Sequence, residues 1–290
     1  MKKFTILIPI FNDRESLKML IENINKEVEK IDSEISILVV NDASSQQILD
    51  TYPNTENIYS IEIINMKENR GHARCIASGL KYIFEKKEFD YVIPMDGDGE
   101  DRPEEIIDFF HIAERAKDKS IIGERVKRSE SLFFQFCYQF HKFLTLAFTG
   151  KSIKFGNFTC LSKQTVKKLL EDKATWNSFS GSLVKVEKEL ISMPSNRGIR
   201  YFGPSQMSFF NLLKHSLSII SVFRKTVLIR SGLFIIFYIL IIKSYASIIT
   251  SLPLVLLLVM IYSISSLALR ENIEEFNKSL TNINDIDKVK

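Results

Sequence analysis

A short acidic segment, Asp96-Gly97-Asp98-Gly99-Glu100-Asp101, is the part of the sequence best suited to chemistry. Asp96, Asp98 and Glu100 alternate with glycine, and this spacing lets their carboxylates converge where the chain turns. Hard divalent cations such as Mg²⁺ and Mn²⁺ prefer oxygen ligands of this kind, and a diphosphate would complete the coordination. The segment therefore indicates a site for Mg²⁺ or Mn²⁺.

Two other interpretations of the acidic segment compete with the metal site. An EF-hand loop is disfavoured because Pro103 interrupts the segment and no glutamate stands where the bidentate ligand is expected. A solvated acidic turn that caps a helix beginning near Pro103 fits the spacing equally well. The spacing alone leaves the metal site and the capping turn open.

Strand and helix patterns alternate around this segment. Short apolar runs rich in β-branched residues predict strands, and apolar residues at helical spacing predict the helices between them. This alternation predicts an α/β fold with parallel strands and crossover helices. The predicted strands are 4–10, 35–40, 58–64 and 91–95, and the predicted helices are 14–30 and 73–84.

Polar residues collect where the predicted strands end. Asn12 and Asp13 follow the first strand, Asp42 follows the second, and the acidic segment follows the fourth. Ligands of open α/β sheets bind beyond the carboxyl ends of the strands. Three separate segments are therefore predicted to place carboxylates along one rim of the sheet.

Charge and cysteine content exclude several classes of protein. The net charge is +4, from 39 basic and 35 acidic residues, and the basic residues form no dense blocks, so nucleic acid is not the favoured partner. Cys75, Cys137 and Cys160 lack CxxC or Cys/His spacing, so neither a disulfide framework nor a zinc site is indicated. A reducing, cytoplasmic compartment is predicted for this part of the chain.

Two apolar stretches predict a membrane hairpin over residues 226–269. Residues 246–269 carry no charge, and a spanning helix needs roughly 20 mainly apolar residues. Residues 226–242 form a weaker first arm, in which Arg230 and Lys243 would snorkel toward the headgroups. A pair of buried helices in a globular core is the alternative.

Basic residues that flank the hairpin predict its orientation. Arg224 and Lys225 precede the first arm and Arg270 follows the second, whereas the turn offers only Lys243. Both ends should therefore be cytoplasmic in a multi-pass membrane protein. The predicted parts are a cytoplasmic domain (1–205), an amphipathic juxtamembrane helix (206–225), the hairpin (226–269) and a polar cytoplasmic tail (270–290). For 206–225, a core helix of the cytoplasmic domain is the alternative.

Four motifs occur in an order that resembles the family-two glycosyltransferases, and the polyprenyl-phosphate subgroup most of all. The resemblance covers residues 3–223, and bacterial members with a two-helix C-terminal hairpin extend it to Leu269. It implies a GT-A catalytic domain, Rossmann-like with a mainly parallel sheet, and an inverting sugar transfer from a nucleotide diphosphate sugar to a polyprenyl phosphate. The motifs are Pro9-Ile10-Phe11-Asn12-Asp13, Val39-Val40-Asn41-Asp42-Ala43-Ser44, Asn69-Arg70-Gly71-His72-Ala73 and Met95 through Glu104.

The resemblance also implies roles for individual residues. Phe11 and Asp13 depart from the more usual Tyr and Glu, and Gln206 stands where lysine is common. Asp98 and Arg125 are the implied catalytic residues. The implied nucleotide-sugar site is Pro9, Phe11, Asp13, Val40, Asp42, Asp96, Gly97, Asp98, Arg200 and Gln206; the metal ligands are Asp96, Asp98 and Glu100; the acceptor phosphate site is Arg125, Lys127 and Arg128.

Other functions remain compatible with these residues. A glycosyltransferase that extends a lipid-linked saccharide or a cell-surface polysaccharide would keep the fold and change the acceptor, and a non-catalytic membrane scaffold would keep only the nucleotide pocket. A lipid phosphate is already ionised at neutral pH, so the reaction needs no histidine base, and none of the four histidines is predicted to be catalytic. The sequence leaves the sugar, the base and the oligomeric state open, and a homo-oligomer is compatible with it.

Overall fold

The structure, a computed structural model, describes residues 1–46, 55–127, 132–204 and 208–290. Within these ranges eight strands form one mixed sheet. The strands are β1 (Lys3–Ile10), β2 (Glu34–Asn41), β3 (Ser60–Met66), β4 (Tyr91–Pro94), β5 (Ser120–Lys127), β6 (Phe155–Ser162), β7 (Leu190–Asn196) and β8 (Ile283–Lys288).

Helices cover both faces of this sheet and continue into a C-terminal hairpin. Short 3₁₀ turns at Pro103–Glu105, Lys173–Trp176 and Ser279–Asn282 complete the described elements. The helices are α1 (Arg14–Val28), α2 (His72–Lys86), α3 (Ile106–Arg115), α4 (Leu132–Thr149), α5 (Lys163–Glu171), α6 (Phe179–Val186), α7 (Phe209–Ser221), α8 (Arg224–Ile242), α9 (Ile248–Ala268) and α10 (Ile273–Asn277).

The strand order is β7-β5-β6-β4-β1-β2-β3-β8. β1 lies between β2 and β4 and is parallel to both, and β3 is parallel to β2. β6 runs antiparallel to its neighbours β4 and β5, and β8 runs antiparallel to β3. The parallel strands and the α/β class predicted from the sequence are confirmed. The carboxyl ends of β1, β2 and β4 therefore meet at one edge of the sheet.

The central strands are apolar throughout because both faces of the sheet are covered. Ile6 and Ile8 of β1 pack in the cluster on the α1 and α3 side, whereas Leu7 packs in the cluster on the α2 side. Gly79 brings α2 close to this second face, since a Cβ there would overlap Leu7. The apolar clusters on the two faces of the sheet therefore fix the position of the edge at which the polar rim residues lie.

The last 21 residues differ from the predicted polar tail. β8 joins the sheet, and α10 packs on the 3₁₀ turn Lys173–Trp176. Phe276 of α10 is 1% exposed and stacks on Trp176 with ring centroids 5.5 Å apart. β8 pairs with β3, whose outer edge would otherwise leave its N–H and C=O groups unpaired. The side chains of β8 are nearly all exposed, so the strand carries no alternating apolar pattern and gave no strand signal. The chain thus returns from the hairpin into the sheet.

Helices α8 and α9 are, within the described residues, the two that are long and apolar enough to cross a membrane. Their large apolar side chains are mostly exposed; Leu233, Phe237 and Tyr262 are 64%, 65% and 76% exposed. A core helix of a water-soluble protein buries such side chains instead. The exposed hairpin therefore fits a lipid surrounding.

Arg230 of the first arm of the hairpin contacts the end of α4. Its Nη1 donates hydrogen bonds to the carbonyl oxygens of Leu146 and Ala147, at 3.3 and 3.0 Å, in the last turn of α4. The last carbonyls of a helix lack partners within the helix, and a cation beside them is favourable. Arg230 thus joins the first arm of the hairpin to α4.

Two further helices expose apolar side chains beside the hairpin. The described part of the predicted juxtamembrane helix is α7, which exposes Phe210 and Leu213 near its start and buries Ile220 near its end. Both alternatives for this helix are therefore partly realised, because one half faces outward and the other packs in the protein. α4, which the sequence did not single out, exposes Phe143 and Leu146 and packs against α7 and α8. Together with the hairpin, α4 and α7 therefore form one exposed apolar surface that is larger than the hairpin alone.

Candidate active site

The loops that follow β1 and β2 are joined at the rim of the sheet. The backbone N–H of Asn12 donates to Ser44 Oγ at 2.9 Å, and the Ser45 N–H donates to Asn12 Oδ1 at 2.9 Å. Asn12 has a φ of 50°, a left-handed conformation that asparagine tolerates better than most residues. The two loops therefore hold a fixed position relative to each other.

Asp42 is buried beneath this rim and binds the loop that precedes α2. Its two carboxylate oxygens accept hydrogen bonds from the backbone N–H groups of Arg70 and Gly71, each at 2.8 Å. Gly71 has a φ of 91°, which favours glycine at this turn. Asp42 thus fixes the N terminus of α2, an end of a helix that favours anions.

Asp96 is held by two side chains that the sequence analysis did not place in the site. Its Oδ1 accepts from Asn157 Nδ2 at 3.2 Å and lies 3.0 Å from His72 Nε2. Burial alone would raise the pKa of Asp96, but the hydrogen bond and charge of His72 bring it well below its usual range. Burial alone would lower the pKa of His72, and Asp96 raises it above its ordinary value. Each of the two groups thus favours the charged form of the other.

Sequence signals for these two partners existed. His72 belongs to the third motif of the resemblance, and Asn157 lies in the segment Phe155-Gly156-Asn157-Phe158, which resembles the family's segment beneath the acceptor. Asp101 was also missed: its Oδ2 accepts from the Asp96 N–H at 2.9 Å. This hydrogen bond fixes the backbone of Asp96. Burial and the charge of Asp96 raise the pKa of Asp101.

Asp98 and Asp13 share one arginine. Asp98 Oδ2 accepts from Arg200 Nη1 at 2.9 Å, and Arg200 Nη2 donates to Asp13 Oδ2. The other oxygen, Asp98 Oδ1, accepts from the Glu100 N–H at 3.0 Å. Burial and Asp96 raise the pKa of Asp98, and Arg200 opposes that rise. Arg200 thus bridges carboxylates from two different loops.

Residues 197–204, here called the strap, lie directly on the acidic segment. The Gly198 N–H donates to the Glu100 carbonyl at 2.8 Å, and the Tyr201 N–H donates to the Asp98 carbonyl at 2.9 Å. Gly99 has a φ of 87°, and a Cβ there would overlap the Tyr201 ring. The strap therefore requires glycine at position 99.

A buried glutamate fixes the start of the strap. Glu105 accepts from Ser195 Oγ at 2.7 Å and from the Asn196 N–H at 2.8 Å, at the end of β7. Arg197, the next residue, pairs with Glu100. The strap thus enters the site from an anchored strand.

Of the predicted acceptor residues, Arg125 is the one whose side chain the structure describes. The Arg125 guanidinium lies over Gly156, where a Cβ would come within 2.5 Å of Nη2. Its charge acts to lower the pKa of both Asp96 and Asp101. Lys127 is the last residue of β5. Arg128 and Gln206 lie outside the residues that the structure describes.

The other residues of the predicted nucleotide site divide between surface and core. Phe11 is 46% exposed at the rim, whereas Pro9 is buried and Val40 is fully buried in the core on the α2 side. The side chain of Val40 therefore packs against the core rather than lining the rim, as residues that alternate along a covered strand must do. Gly97 lies tightly on β1, since a Cβ there would approach Ile8 at 3.3 Å.

The predicted metal ligands do not converge on one point. Asp96 faces His72, Asp98 faces Arg200 and Glu100 faces Arg197. Across the described ranges, no group of three histidine, cysteine or acidic side chains is arranged to hold a metal ion. Neighbouring carboxylates repel unless a cation lies between them, and here His72 and the two strap arginines supply the positive charge.

Comparison with known proteins identifies the family. Residues 5–170 match Glycosyl transferase family 2. The chain belongs to glycosyl transferase family 2.

Two curated relatives are undecaprenyl-phosphate 4-deoxy-4-formamido-L-arabinose transferases. The protein of Proteus mirabilis is 26% identical over 226 residues, which are 73% of this chain and 64% of the relative. The protein of Yersinia pestis is 29% identical over 174 residues, 59% of this chain and 50% of the relative.

This family-2 chain thus spans between half and about two thirds of the length of these relatives.

Two solved structures share its fold. Glucosyl-3-phosphoglycerate synthase from Mycobacterium tuberculosis, in complex with Mn²⁺, UDP-glucose and phosphoglyceric acid, has a TM-score of 0.54, 10% identity and coverage of 78% and 80% of the two chains. Mannosyl-3-phosphoglycerate synthase from Rubrobacter xylanophilus has a TM-score of 0.54, 11% identity and coverage of 76% and 72%. The GT-A fold implied by the sequence is confirmed.

Proposed function

We propose that this chain is an inverting glycosyltransferase that moves a sugar from a nucleotide diphosphate sugar to a polyprenyl phosphate at a membrane surface. One observation carries the proposal: the acidic rim and Arg125 belong to a domain whose chain passes through an apolar hairpin and returns to the same sheet. Relatives named for transfer to undecaprenyl phosphate support it. The alternatives are an enzyme that extends a lipid-linked saccharide and a non-catalytic scaffold.

The donor would bind along the rim. Asp42 holds the loop at the N terminus of α2, and Phe11 and Asp13 lie at the end of β1 beside it. Arg200 would exchange the carboxylates of Asp13 and Asp98 for oxygens of the donor diphosphate, because the planar guanidinium fork suits phosphate as well as carboxylate. The strap would then close over the donor.

Asp96 and Asp98 would supply oxygen ligands to a divalent cation once the donor diphosphate takes Arg200 from Asp98. They stand two positions apart in an acidic segment, and oxygen donors of this type suit Mg²⁺ and Mn²⁺. Glu100 would join them once released from Arg197. When bound, the cation would stabilise negative charge on the departing diphosphate. The Mn²⁺ complex of the Mycobacterium tuberculosis synthase supports this assignment.

The acceptor phosphate would bind at Arg125, with Lys127 and Arg128 as neighbours along the chain. A phosphate oxygen attacks the anomeric carbon of the sugar; the new carbon–oxygen bond forms as the bond to the diphosphate breaks, which inverts the configuration. The phosphate is already ionised, so no side chain has to remove a proton. His72 fits this scheme because it is paired with Asp96 rather than free to act as a base.

The membrane would bring the acceptor to this site. α8 and α9 would span the bilayer, and the exposed apolar side chains of α4 and α7 would face its surface. β8 follows the hairpin and pairs with β3, so the two ends of the hairpin lie on the same side as the domain. Arg224, Lys225 and Arg270 lie at these ends, and basic residues of this kind favour a cytoplasmic position for that side.

A donor and acceptor panel tests the proposal. The full chain in lipid nanodiscs would be incubated with UDP-, GDP- and dTDP-sugars, with Mg²⁺ or Mn²⁺, and with undecaprenyl phosphate or a lipid-linked saccharide as acceptor. We expect a glycosylated undecaprenyl phosphate from at least one donor, and its loss in EDTA. Product only on the lipid-linked saccharide would favour the extending enzyme, and no transfer from any donor would favour the scaffold.

A further inference from the structure

The segment after the hairpin contacts the donor side of the site through one carboxylate. Glu275 of α10 lies between two arginines: its Oε1 is 3.3 Å from Arg70 Nη1 and its Oε2 is 3.4 Å from Arg74 Nη2. The three side chains are only 30%, 28% and 19% exposed, so solvent screens these ion pairs less than those on an open surface. Glu275 therefore holds the start of α2.

Aromatic packing also fixes Arg74, in the first turn of α2, against α10. The Arg74 guanidinium lies over the Trp176 ring at 5.1 Å, and Trp176 stacks on Phe276, the residue after Glu275. Trp176 and Phe276 are each 1% exposed. α10 is therefore seated in the protein, and the Glu275 carboxylate is presented from a fixed support.

Backbone contacts continue this attachment along the loop between β3 and α2. The Lys67 N–H donates to the Asn282 carbonyl at 2.7 Å, Asn282 Nδ2 donates to the Glu68 carbonyl at 3.1 Å, and Lys67 Nζ donates to the Thr281 carbonyl at 3.0 Å. The loop is thus fixed by the C-terminal segment on one side. On the other side, the Arg70 and Gly71 N–H groups bind Asp42.

We propose that Glu275 is a positioning residue of the donor site, acting through Arg70 on Asp42. The inference rests on the proposed function, because it concerns the nucleotide end of that same site. Without the Glu275 charge, Arg74 loses its acidic partner and Arg70 keeps only Glu68, whose side chain is 72% exposed. The loop then loses the better-buried of the two ion pairs that hold its N–H groups against Asp42. Four residues separate the last helical residue of the hairpin from the start of α10, so the contact made by Glu275 links the membrane anchor to the donor site.

Two matched variants test the role of Glu275. Glu275→Gln and Glu274→Gln each remove one negative charge from α10, but the Glu274 side chain is exposed. In the full chain, hydrogen exchange at the Arg70 and Gly71 amides should quicken about tenfold in E275Q, as loss of a charge-assisted contact predicts. E274Q should exchange like the wild type.

Nucleotide titration and kinetics supply the second readout. Affinities for UDP, GDP and dTDP would be measured by calorimetry, and steady-state constants with whichever donor is active. We expect E275Q to raise Kd and KM about tenfold with kcat within about twofold of wild type, and Glu275→Asp to restore part of the affinity because it keeps the charge.

The outcomes separate this inference from the proposed function. Wild-type protein that binds no nucleotide would overturn the proposed donor, whereas the exchange comparison would still decide whether Glu275 holds the loop. Equal exchange and equal affinity in E275Q and E274Q would overturn the role of Glu275. If E275Q loses protection across β1 as well, it has unfolded, and Arg70→Gln, which removes the other partner of the ion pair, decides. Selective loss of protection at the amides of residues 70 and 71 supports the role, and unchanged protection there contradicts it.

Discussion

At the scale of single residues, Asp96 and Asp98 each have a basic partner from another part of the chain. Asp98 pairs with Arg200, 102 positions away, and Asp96 pairs with His72. These pairs keep the two carboxylates apart, and each could exchange its partner for a bound group. We therefore expect substitution of such a carboxylate to lower the rate of sugar transfer more than it lowers the stability of the fold.

Replacing Asp98 by Asn should reduce kcat/KM for transfer at least about 100-fold, because an uncharged amide stabilises neither a divalent cation nor the departing diphosphate well. Asp108→Asn is the control, since Asp108 is exposed on α3. Transfer assays with both variants, in the presence and absence of EDTA, provide the measurement. Near-normal turnover of D98N would remove Asp98 from the reaction.

The contact between Gly99 and Tyr201 gives a second residue-scale prediction. Gly99→Ala should displace the strap and weaken donor binding about tenfold or more, because a methyl group would overlap the Tyr201 ring. Gly203→Ala is the control: it has a positive φ of 66° but no atom within 4 Å of an added Cβ, so it carries backbone strain alone. Calorimetric titration with nucleotide sugar compares them. Equal loss in both would mean that strain, not overlap, is responsible.

At the scale of elements, α4 depends on the first arm of the hairpin for its C-terminal end. The Arg230 guanidinium also fills the space beside Gly150, whose φ is 71°; an added Cβ there would lie 2.6 Å from Arg230 Nη2. A helix that ends against a cation on another helix is fixed in both position and direction. α4 and α8 should therefore move together.

Replacing Arg230 by Met should release the last turn of α4 at a cost of about 0.3–1 kcal/mol, the range for an exposed cation at a helix end. Hydrogen exchange in nanodiscs at the amides of residues 146–150 should quicken accordingly. Lys225→Met serves as the comparison, because Lys225 is exposed at the start of α8. Exchange that is unchanged in R230M would show that α4 is held by its other packing.

At the scale of the whole molecule, the hairpin is an insertion between two parts of one domain. α7 precedes it and packs on α6, whereas α10, which packs on the 3₁₀ turn Lys173–Trp176, and β8, which joins the sheet, follow it. Removing the hairpin alone should therefore differ from removing everything after α7. The first change takes away the membrane anchor, and the second also takes away Glu275 and the strand that covers the edge of β3.

Replacement of residues 224–269 by a Gly/Ser linker of about 20 residues, roughly 25 Å in mean span, should leave nucleotide affinity within about twofold of wild type. Transfer to long-chain undecaprenyl phosphate in vesicles should fall far more than transfer to a short water-soluble analogue. Truncation after Phe223 should lose nucleotide binding as well. Normal nucleotide binding by the truncated chain would contradict the structural role of residues 270–290.

The sequence was sufficient for the features that depend on neighbouring residues. Four apolar runs predicted β1, β2, β3 and β4, the uncharged run predicted α9, and the polar residues at the strand ends predicted the rim. Periodicity and turn chemistry act over a few residues, so such features can be read along the chain. The resemblance added the GT-A fold and the family, because its motifs lie on those same loops.

Tertiary structure alone decided which distant groups meet. β8 has an exposed polar sequence and becomes a strand only because the edge of β3 offers it partners; Val40 lies on the core face because β2 is covered on both sides. Arg200 reaches Asp98 across 102 positions, and Glu275 reaches Arg70 across 205. Ion pairs of this kind depend on how the chain packs rather than on local spacing, so the acidic segment that the sequence indicated as a metal site is held, in the folded protein, by cations from elsewhere in the chain.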